Sequence, residues 1–212
     1  MCNKQFLSPH FELQEFVASR TAKEHRIDNT PPAEAVENLR ALCVHTLEPL
    51  REALGHPIII TSGYRTKALN NLLANHSSKS QHMQGCAADF YVGQAQSAAA
   101  GSKAPEGTEF QVPGSKIQSA SLLKHETGDS PMKHETPEGL MKLETSSRRE
   151  LLITAFRRII TDEAIDFDQL IIYPDFIHVS YVSRERNRHK LTRAFNNGTY
   201  AALSRAEALK LA

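Results

Sequence analysis

The stretch Ser80-Gln81-His82-Met83-Gln84-Gly85-Cys86-Ala87-Ala88-Asp89-Phe90 decides how this chain is read. It joins a polar turn to an apolar strand, and the strand carries a carboxylate. His82 and Asp89 straddle the Gly85 turn, so their side chains can converge. On an extended Cys86–Val92 segment, Ala87, Asp89 and Tyr91 share one face, opposite Ala88 and Phe90. A carboxylate inside such a strand is costly to bury alone and calls for a cation, either an Arg or a metal. A third candidate, His178, lies far downstream in Asp175-Phe176-Ile177-His178-Val179-Ser180. On that strand Ile177, Val179 and Tyr181 face one way, and His178 and Ser180 face the other. Two histidines and one carboxylate suit a catalytic zinc, which keeps a fourth position open for water. Asp175, three residues ahead of His178, is placed to exchange a proton with that water.

Working outward, Pro57–Ser62 reads as a buried strand ended by Gly63, and Tyr64-Arg65-Thr66 leads into a short helix at 67–74. Phe167–Tyr173 is a further strand. Pro174-Asp175 makes a tight connection to Phe176–Val182, so the two strands form a hairpin. Phe11, Leu13, Phe16 and Val17 predict a helix over 10–24. Val36, Leu39, Leu42, Cys43, Leu47, Leu50 and Leu54 predict a core helix over 33–54, with Thr30 as its cap, a bend at Pro49 and a stop at Gly55. A helix over 147–163, capped by Ser146 or Ser147, turns Leu151, Leu152, Ala155, Phe156 and Ile159 inward. Beyond Arg184, the cluster Arg184, Arg186, Arg188, Lys190 and Arg193 reads as a solvated face.

Residues 93–148 change in character. They are rich in Ser, Ala, Gly, Lys, Glu and Pro, and carry three copies of a nine-residue repeat at Leu122–Ser130, Pro131–Gly139 and Leu140–Arg148. Short copies broken by Pro and Gly cannot bury a core of their own, so the expectation is a disordered insertion. His125 and His134 within it read as solvated histidines. The domain expectation is therefore one unit, 1–92 together with 149–200, interrupted at 93–148.

The 212 residues are 40% hydrophobic, enough for one sizeable core. Lys+Arg of 25 against Asp+Glu of 24 gives a net charge of +1, which supports neither nucleic acid nor a membrane surface as partner. Three cysteines without a Cys-x-x-Cys pair point to reduced thiols. No run approaches the roughly 18 apolar residues of a membrane span. The N-terminus has no apolar run of signal-peptide length, so the default expectation is a cytoplasmic protein.

Four blocks carry a resemblance to a known family: Ser62-Gly63-Tyr64-Arg65-Thr66, Ser80-Gln81-His82 through Asp89-Phe90, Phe167-Asp168-Gln169-Leu170-Ile171, and Ile177-His178-Val179-Ser180-Tyr181. Phe11–Phe16 and Ile27–Pro31 add to it. Together they resemble the zinc D-Ala-D-Ala carboxypeptidases among the murein metallopeptidases, the A type of peptidase family M-fifteen. The resemblance implies an α+β fold shared with the hedgehog signalling domain, with helices packed on a small antiparallel sheet. It implies His82, Asp89 and His178 as ligands of Zn2+ and Asp175 as general base, where many members have Glu. It implies Arg65 as the group that stabilises the substrate carbonyl; the alternative for Arg65 is an ion pair with a neighbouring acid. Ser80 and Gln81 would fix the His82 loop or orient its second nitrogen. Ser180 lies beside His178, and Cys86 reads as a buried inert thiol.

The implied activity is hydrolysis near D-Ala in peptidoglycan stem peptides, by a carboxypeptidase or a murein endopeptidase. A non-catalytic, zinc-stabilised cell-wall binding module is the rival, and a dipeptidase on free D-Ala-D-Ala a third reading. A cytoplasmic default conflicts with a murein substrate. A phage or prophage lysin, or a peptidase exported by another route, resolves that conflict. The chain departs from the family at Ala74–Lys79, where members often carry Gly-Gly-Ser. The scissile bond and the oligomeric state stay open.

Overall fold

Six strands, Ile58–Ser62 (β3), Ala87–Val92 (β4), Ile177–Ser180 (β6), Gln169–Ile172 (β5), Lys190–Ala194 (β7) and Tyr200–Leu203 (β8), lie side by side in that order in one sheet. The computed structural model describes residues 4–74, 77–94 and 137–211. A small pair, β1 (Phe6–Ser8) and β2 (Phe11–Glu12), precedes these strands. The helices are α1 (Leu13–Val17), α2 (Arg20–Glu24), α3 (Ala33–Leu42), α4 (Glu48–Leu54), α5 (Lys67–Leu72), α6 (Pro137–Thr161) and α7 (Arg205–Leu209). The class is α+β. No helix among the described residues is long and apolar enough to cross a membrane.

The long helix expected over 33–54 is α3 and α4 joined by a π-helical turn at Cys43–Leu47. Pro49 explains the irregularity, because it has no N–H to give the His45 carbonyl. Asp166 N–H fills that role at 3.0 Å, and Thr46 Oγ1 donates to Asp166 O at 2.6 Å. The helix therefore widens into a π turn where a distant loop docks. Gly55 ends α4 with φ of 63°, the left-handed stop its position called for. Thr30 is not the cap of α3. Pro32 holds that position, and both the N–H and Oγ1 of Thr30 turn to Asp28 Oδ1 instead.

The helix expected over 10–24 is broken into β2, α1 and α2. Tertiary partners break it. Tyr64 N–H takes the Phe16 carbonyl at 2.8 Å, and Asn29 Nδ2 takes that of Val17 at 3.0 Å. Ser19 then caps α2 by accepting from Ala22 N–H.

β5 and β6 form the expected hairpin, closed by Tyr173 N–H to Phe176 O at 2.9 Å. All neighbouring strands in the large sheet are antiparallel except β5 and β7, so the sheet is mixed. The parallel pair has a simple origin. β6 ends beside the start of β5, and residues 181–189 cross that end of the sheet and begin β7 on the other side. Asp168 sits at the crossing, its N–H on Ser180 O at 2.7 Å and its carbonyl accepting from Lys190 N–H at 2.9 Å. The tail thus enters the sheet through its apolar residues, while Arg184, Arg186, Arg188 and Lys190 stay exposed, as expected of a solvated face. Leu191, Thr192 and Ala194 are buried, and Ala208 of α7 is fully buried.

One sheet face supplies the core through Ala88, Phe90, Leu170, Ile172, Ile177 and Val179, packed with Phe11, Phe16, Leu39, Leu42 and Phe156. The helix α6 begins at Pro137, ahead of the Ser146 or Ser147 start expected, and runs through the third repeat copy. Leu152, Ala155, Phe156 and Ile159 are buried as their spacing demands. The expectation of a disordered insertion falls mainly on 95–136, and that stretch, with His125 and His134, lies outside the described residues. Asn75 and His76 of the Ala74–Lys79 departure do as well.

Candidate metal centre

Strand register does most of the assembly. Asp89 on β4 stands directly across from His178 on β6, so their side chains leave the same sheet face side by side. His82 comes from a 3₁₀ turn, Gln81–Gln84, that runs up to this face. Gly85 ends the turn with φ of 72°, and a Cβ there would collide with the Ala35 carbonyl. Glycine is therefore required between His82 and Asp89 for both backbone and packing reasons.

Three atoms converge. His178 Nδ1 lies 2.8 Å from Asp89 Oδ1, His82 Nε2 lies 3.2 Å from His178 Nδ1, and His82 Nε2 lies 3.3 Å from Asp89 Oδ1. Nitrogen and oxygen ligands at zinc-bond lengths around a tetrahedral ion stand roughly 3.3 Å apart. Two sides of the triangle have that length and the third, at 2.8 Å, is shorter, and these residues form a group that could hold a metal ion. His82 Nδ1 donates to Gly63 O at 2.6 Å, which leaves the Nε2 lone pair for the centre. His82 is 3% exposed, and burial pulls its pKa below the ordinary value against the pull of Asp89. The imidazole is kept neutral, the form that ligates. Burial alone would push the Asp89 carboxyl up. The two imidazoles beside it overcome burial and hold it well below the usual carboxylate range.

Arg65 belongs to the same cluster. Its Nη2 donates to Asp89 Oδ2 at 3.2 Å, its Nε to Ser62 Oγ at 3.2 Å, and its N–H to His82 O at 3.2 Å. Asp89 thus turns one oxygen to the imidazoles and the other to the guanidinium. The ion pair that the sequence left as an alternative for Arg65 is present, with Asp89 as the acid. Its Nη1 has no hydrogen-bond partner among the described residues.

Asp175 is placed differently. It is exposed in the β5–β6 turn and lines a cavity of about 380 Å³ with Tyr91, Val92, Arg148, Arg149, Leu152 and Pro174. Among the described residues, no hydrogen bond or ion pair joins Asp175 to His82, Asp89, His178 or Arg65. Ser180 is fully buried, with its Oγ accepting from Gln169 N–H at 3.1 Å, and supports the strand rather than the centre. Cys86 is buried and burial pushes its thiol up, so it is an inert filler.

Two residues without an assigned part in the sequence reading organise the loops. Asn29 Nδ2 donates to the carbonyls of Val17 and Tyr64, each at 3.0 Å, while its Oδ1 accepts from Thr66 N–H at 2.9 Å. It brackets Arg65 from both sides, which gives Ile27–Pro31 its role. Asp168, 1% exposed, accepts from Gln81 Nε2 at 2.8 Å and from Arg188 N–H at 2.9 Å. The Arg188 guanidinium grips it with two further bonds, from Nε at 2.8 Å and from Nη2 at 2.5 Å. Gln81 therefore fixes the His82 loop through Asp168, and the second His82 nitrogen is oriented by Gly63, not by Ser80 or Gln81.

Burial would raise the Asp168 carboxyl, but the bonds from Arg188 and Gln81 bring it from 3.8 down to about 2. A carboxylate depressed in the folded state adds stability above its unfolded pKa, and that stability is lost as pH falls through the folded value. Asp168→Asn is accordingly expected to cost about 2–3 kcal/mol at pH 7. The difference from wild type should narrow between about pH 4 and pH 2. Urea unfolding at pH 7 and pH 3 measures both, and equal stability of the two proteins at pH 7 would refute it.

Two imidazoles and a carboxylate, gathered on one face of an α+β sheet, form a group that could hold a metal ion, as the centres of metallohydrolases do. The profile of the peptidase M15 family matches residues 9–116, just over half of the chain, and the chain belongs to that family. The matched region contains Arg65, His82 and Asp89, while Asp175 and His178 lie beyond it. No curated protein and no solved structure matches the chain.

Proposed function

We propose that this peptidase holds Zn2+ through His82 Nε2, Asp89 Oδ1 and His178 Nδ1 and cleaves peptide bonds near D-Ala in peptidoglycan stem peptides. The activity is that of a D-Ala-D-Ala carboxypeptidase or a murein endopeptidase. The triangle of three ligand atoms beside Arg65 carries this reading, with the resemblance of the four sequence blocks supplying the substrate class. A zinc ion at this place supplies a Lewis acid and makes water a competent nucleophile near neutral pH. The protein does the rest. Gly63 locks the His82 tautomer, and Arg65 offers its remaining N–H groups to the oxygen on which charge builds. Asp175 receives the water's proton and returns it to the departing amine.

Defined muropeptides, monomeric and cross-linked, incubated with zinc-loaded protein and read by mass spectrometry, test this. Chelator-sensitive loss of a terminal D-Ala is the carboxypeptidase outcome, and splitting of dimers is the endopeptidase outcome. An unchanged muropeptide profile from folded, zinc-loaded protein would reject the murein activity and leave the zinc-stabilised wall-binding module.

A further inference from the structure

The sheet face that carries the centre also carries an aromatic row. Tyr91 lies two residues beyond Asp89 on β4, Phe176 two before His178, and Tyr173 two beyond Ile171, which pairs with His178 across β5 and β6. Alternation puts all three on the face of the ligands, roughly 7 Å along the strands from them. β8 adds Tyr200 at its exposed end. Tyr173 stacks on Phe176 with ring centres 4.2 Å apart and planes 11° apart, and meets Tyr200 edge-on at 6.2 Å. The two tyrosine hydroxyls are 3.3 Å apart.

Tyr173 lies close enough to the centre to interact electrostatically with both Asp89 and Arg65. Burial first, then the Tyr200 hydroxyl, pushes its phenol above the ordinary range, so it stays protonated at neutral pH. Between two paired hydroxyls one hydrogen makes the mutual bond. When Tyr200 donates to Tyr173, the Tyr173 hydrogen is left for a third group. A neutral donor on the ligand face and a guanidinium bonded to Asp89 are together complementary to an oxygen at the centre that gains negative charge. Phe176 and Tyr200 hold the Tyr173 ring, so the donor is positioned before substrate arrives.

We infer that Tyr173 is a further substrate-contacting residue, whose hydroxyl donates a hydrogen bond to the scissile carbonyl oxygen as it becomes tetrahedral, beside Arg65. This rests on the peptidase reading of the centre. Tyr173→Phe keeps the ring stack and removes only the hydroxyl. Tyr200→Phe removes the partner but leaves the Tyr173 donor.

The test compares wild type and both variants, zinc-loaded and full-length. It measures cleavage of the muropeptide that wild type turns over, and binding of a phosphinate analogue of D-Ala-D-Ala by calorimetry. Tyr173→Phe is expected to lower kcat by about 10–100-fold, to shift KM by less than about threefold, and to weaken the phosphinate by a factor like that in kcat. Zinc content should not change, and Tyr200→Phe should lose less than about fivefold. A kcat and phosphinate affinity within about twofold of wild type, or a rise in KM alone, would overturn the assignment. If wild type binds the phosphinate but cleaves no peptide, the peptidase reading falls by itself. Tyr173 is then judged by the analogue: tenfold weaker binding upholds it, and equal binding ends it. A wild type that neither cleaves nor binds removes both.

Discussion

Asp89→Asn is expected to bind zinc at least about 100-fold more weakly than wild type, since changes to groups that merely support metal ligands already cost 10–100-fold. The amide matches the carboxylate in shape but brings no charge to a place where burial, two imidazoles and a guanidinium all depend on one. Asp89 Oδ1 faces both histidines and Oδ2 faces Arg65, so the substitution weakens three contacts together. The chelated wild type keeps the Asp89–Arg65 pair and should stay folded. Zinc at a hundred times its dissociation constant should then raise its stability by about 2.7 kcal/mol, or roughly 5–10 °C in Tm for a chain of this size. At the same zinc concentration the Tm of Asp89→Asn should rise by no more than about 1–2 °C. Competition with a chromophoric chelator and paired melting curves measure both quantities. Equal zinc affinity in the two proteins would mean that the cluster is a buried ion-pair network and that any metal sits elsewhere.

How much of this arrangement could be read in advance follows from the range of the interactions. His82, Asp89 and His178 were legible because each depends on short-range rules: a glycine turn between two residues, and the alternation of side chains along a strand. The β5–β6 hairpin was legible for the same reason. The partner of Arg65 was not, because it depends on how β3 pairs with β4, and that register shifts between Ile60 and Ser62. Asp168 and Arg188 are separated by a crossing over the sheet end that leaves no periodic trace. Five basic residues then hid the strand Lys190–Ala194 behind its charges. The break of the 10–24 segment follows the same logic, since it depends on Tyr64 and Asn29 claiming carbonyls of Phe16 and Val17. An irregularity at Pro49 was local and foreseeable, and it takes the form of a π turn. The docking of Asp166 on the freed His45 carbonyl was not.

Asp175→Ala is expected to lower kcat by about 10²–10⁴, the usual contribution of a positioned acid–base group, with zinc content unchanged. Stability should move by less than about 0.5 kcal/mol, because an exposed turn carboxylate supports little of the fold. That separation of activity from fold and metal makes Asp175 the sharpest divider between enzyme and binding module. The structure frames the question closely. Asp175 precedes His178 by three residues, yet it is exposed and shares its cavity with Arg148 and Arg149. A residue whose only role is to sit near those arginines would leave kcat within about twofold when truncated. A general base should also show graded chemistry. Asp175→Asn keeps the shape without the basic oxygen and should be as inactive as Asp175→Ala. Asp175→Glu restores a carboxylate with longer reach and should recover activity to within about tenfold. Steady-state kinetics of the three variants on the muropeptide that wild type cleaves, with zinc content measured on the same samples, decide between them. Full activity in Asp175→Asn would place the proton transfer on another group, and a slow Asp175→Glu would mean that distance rather than basicity limits the step.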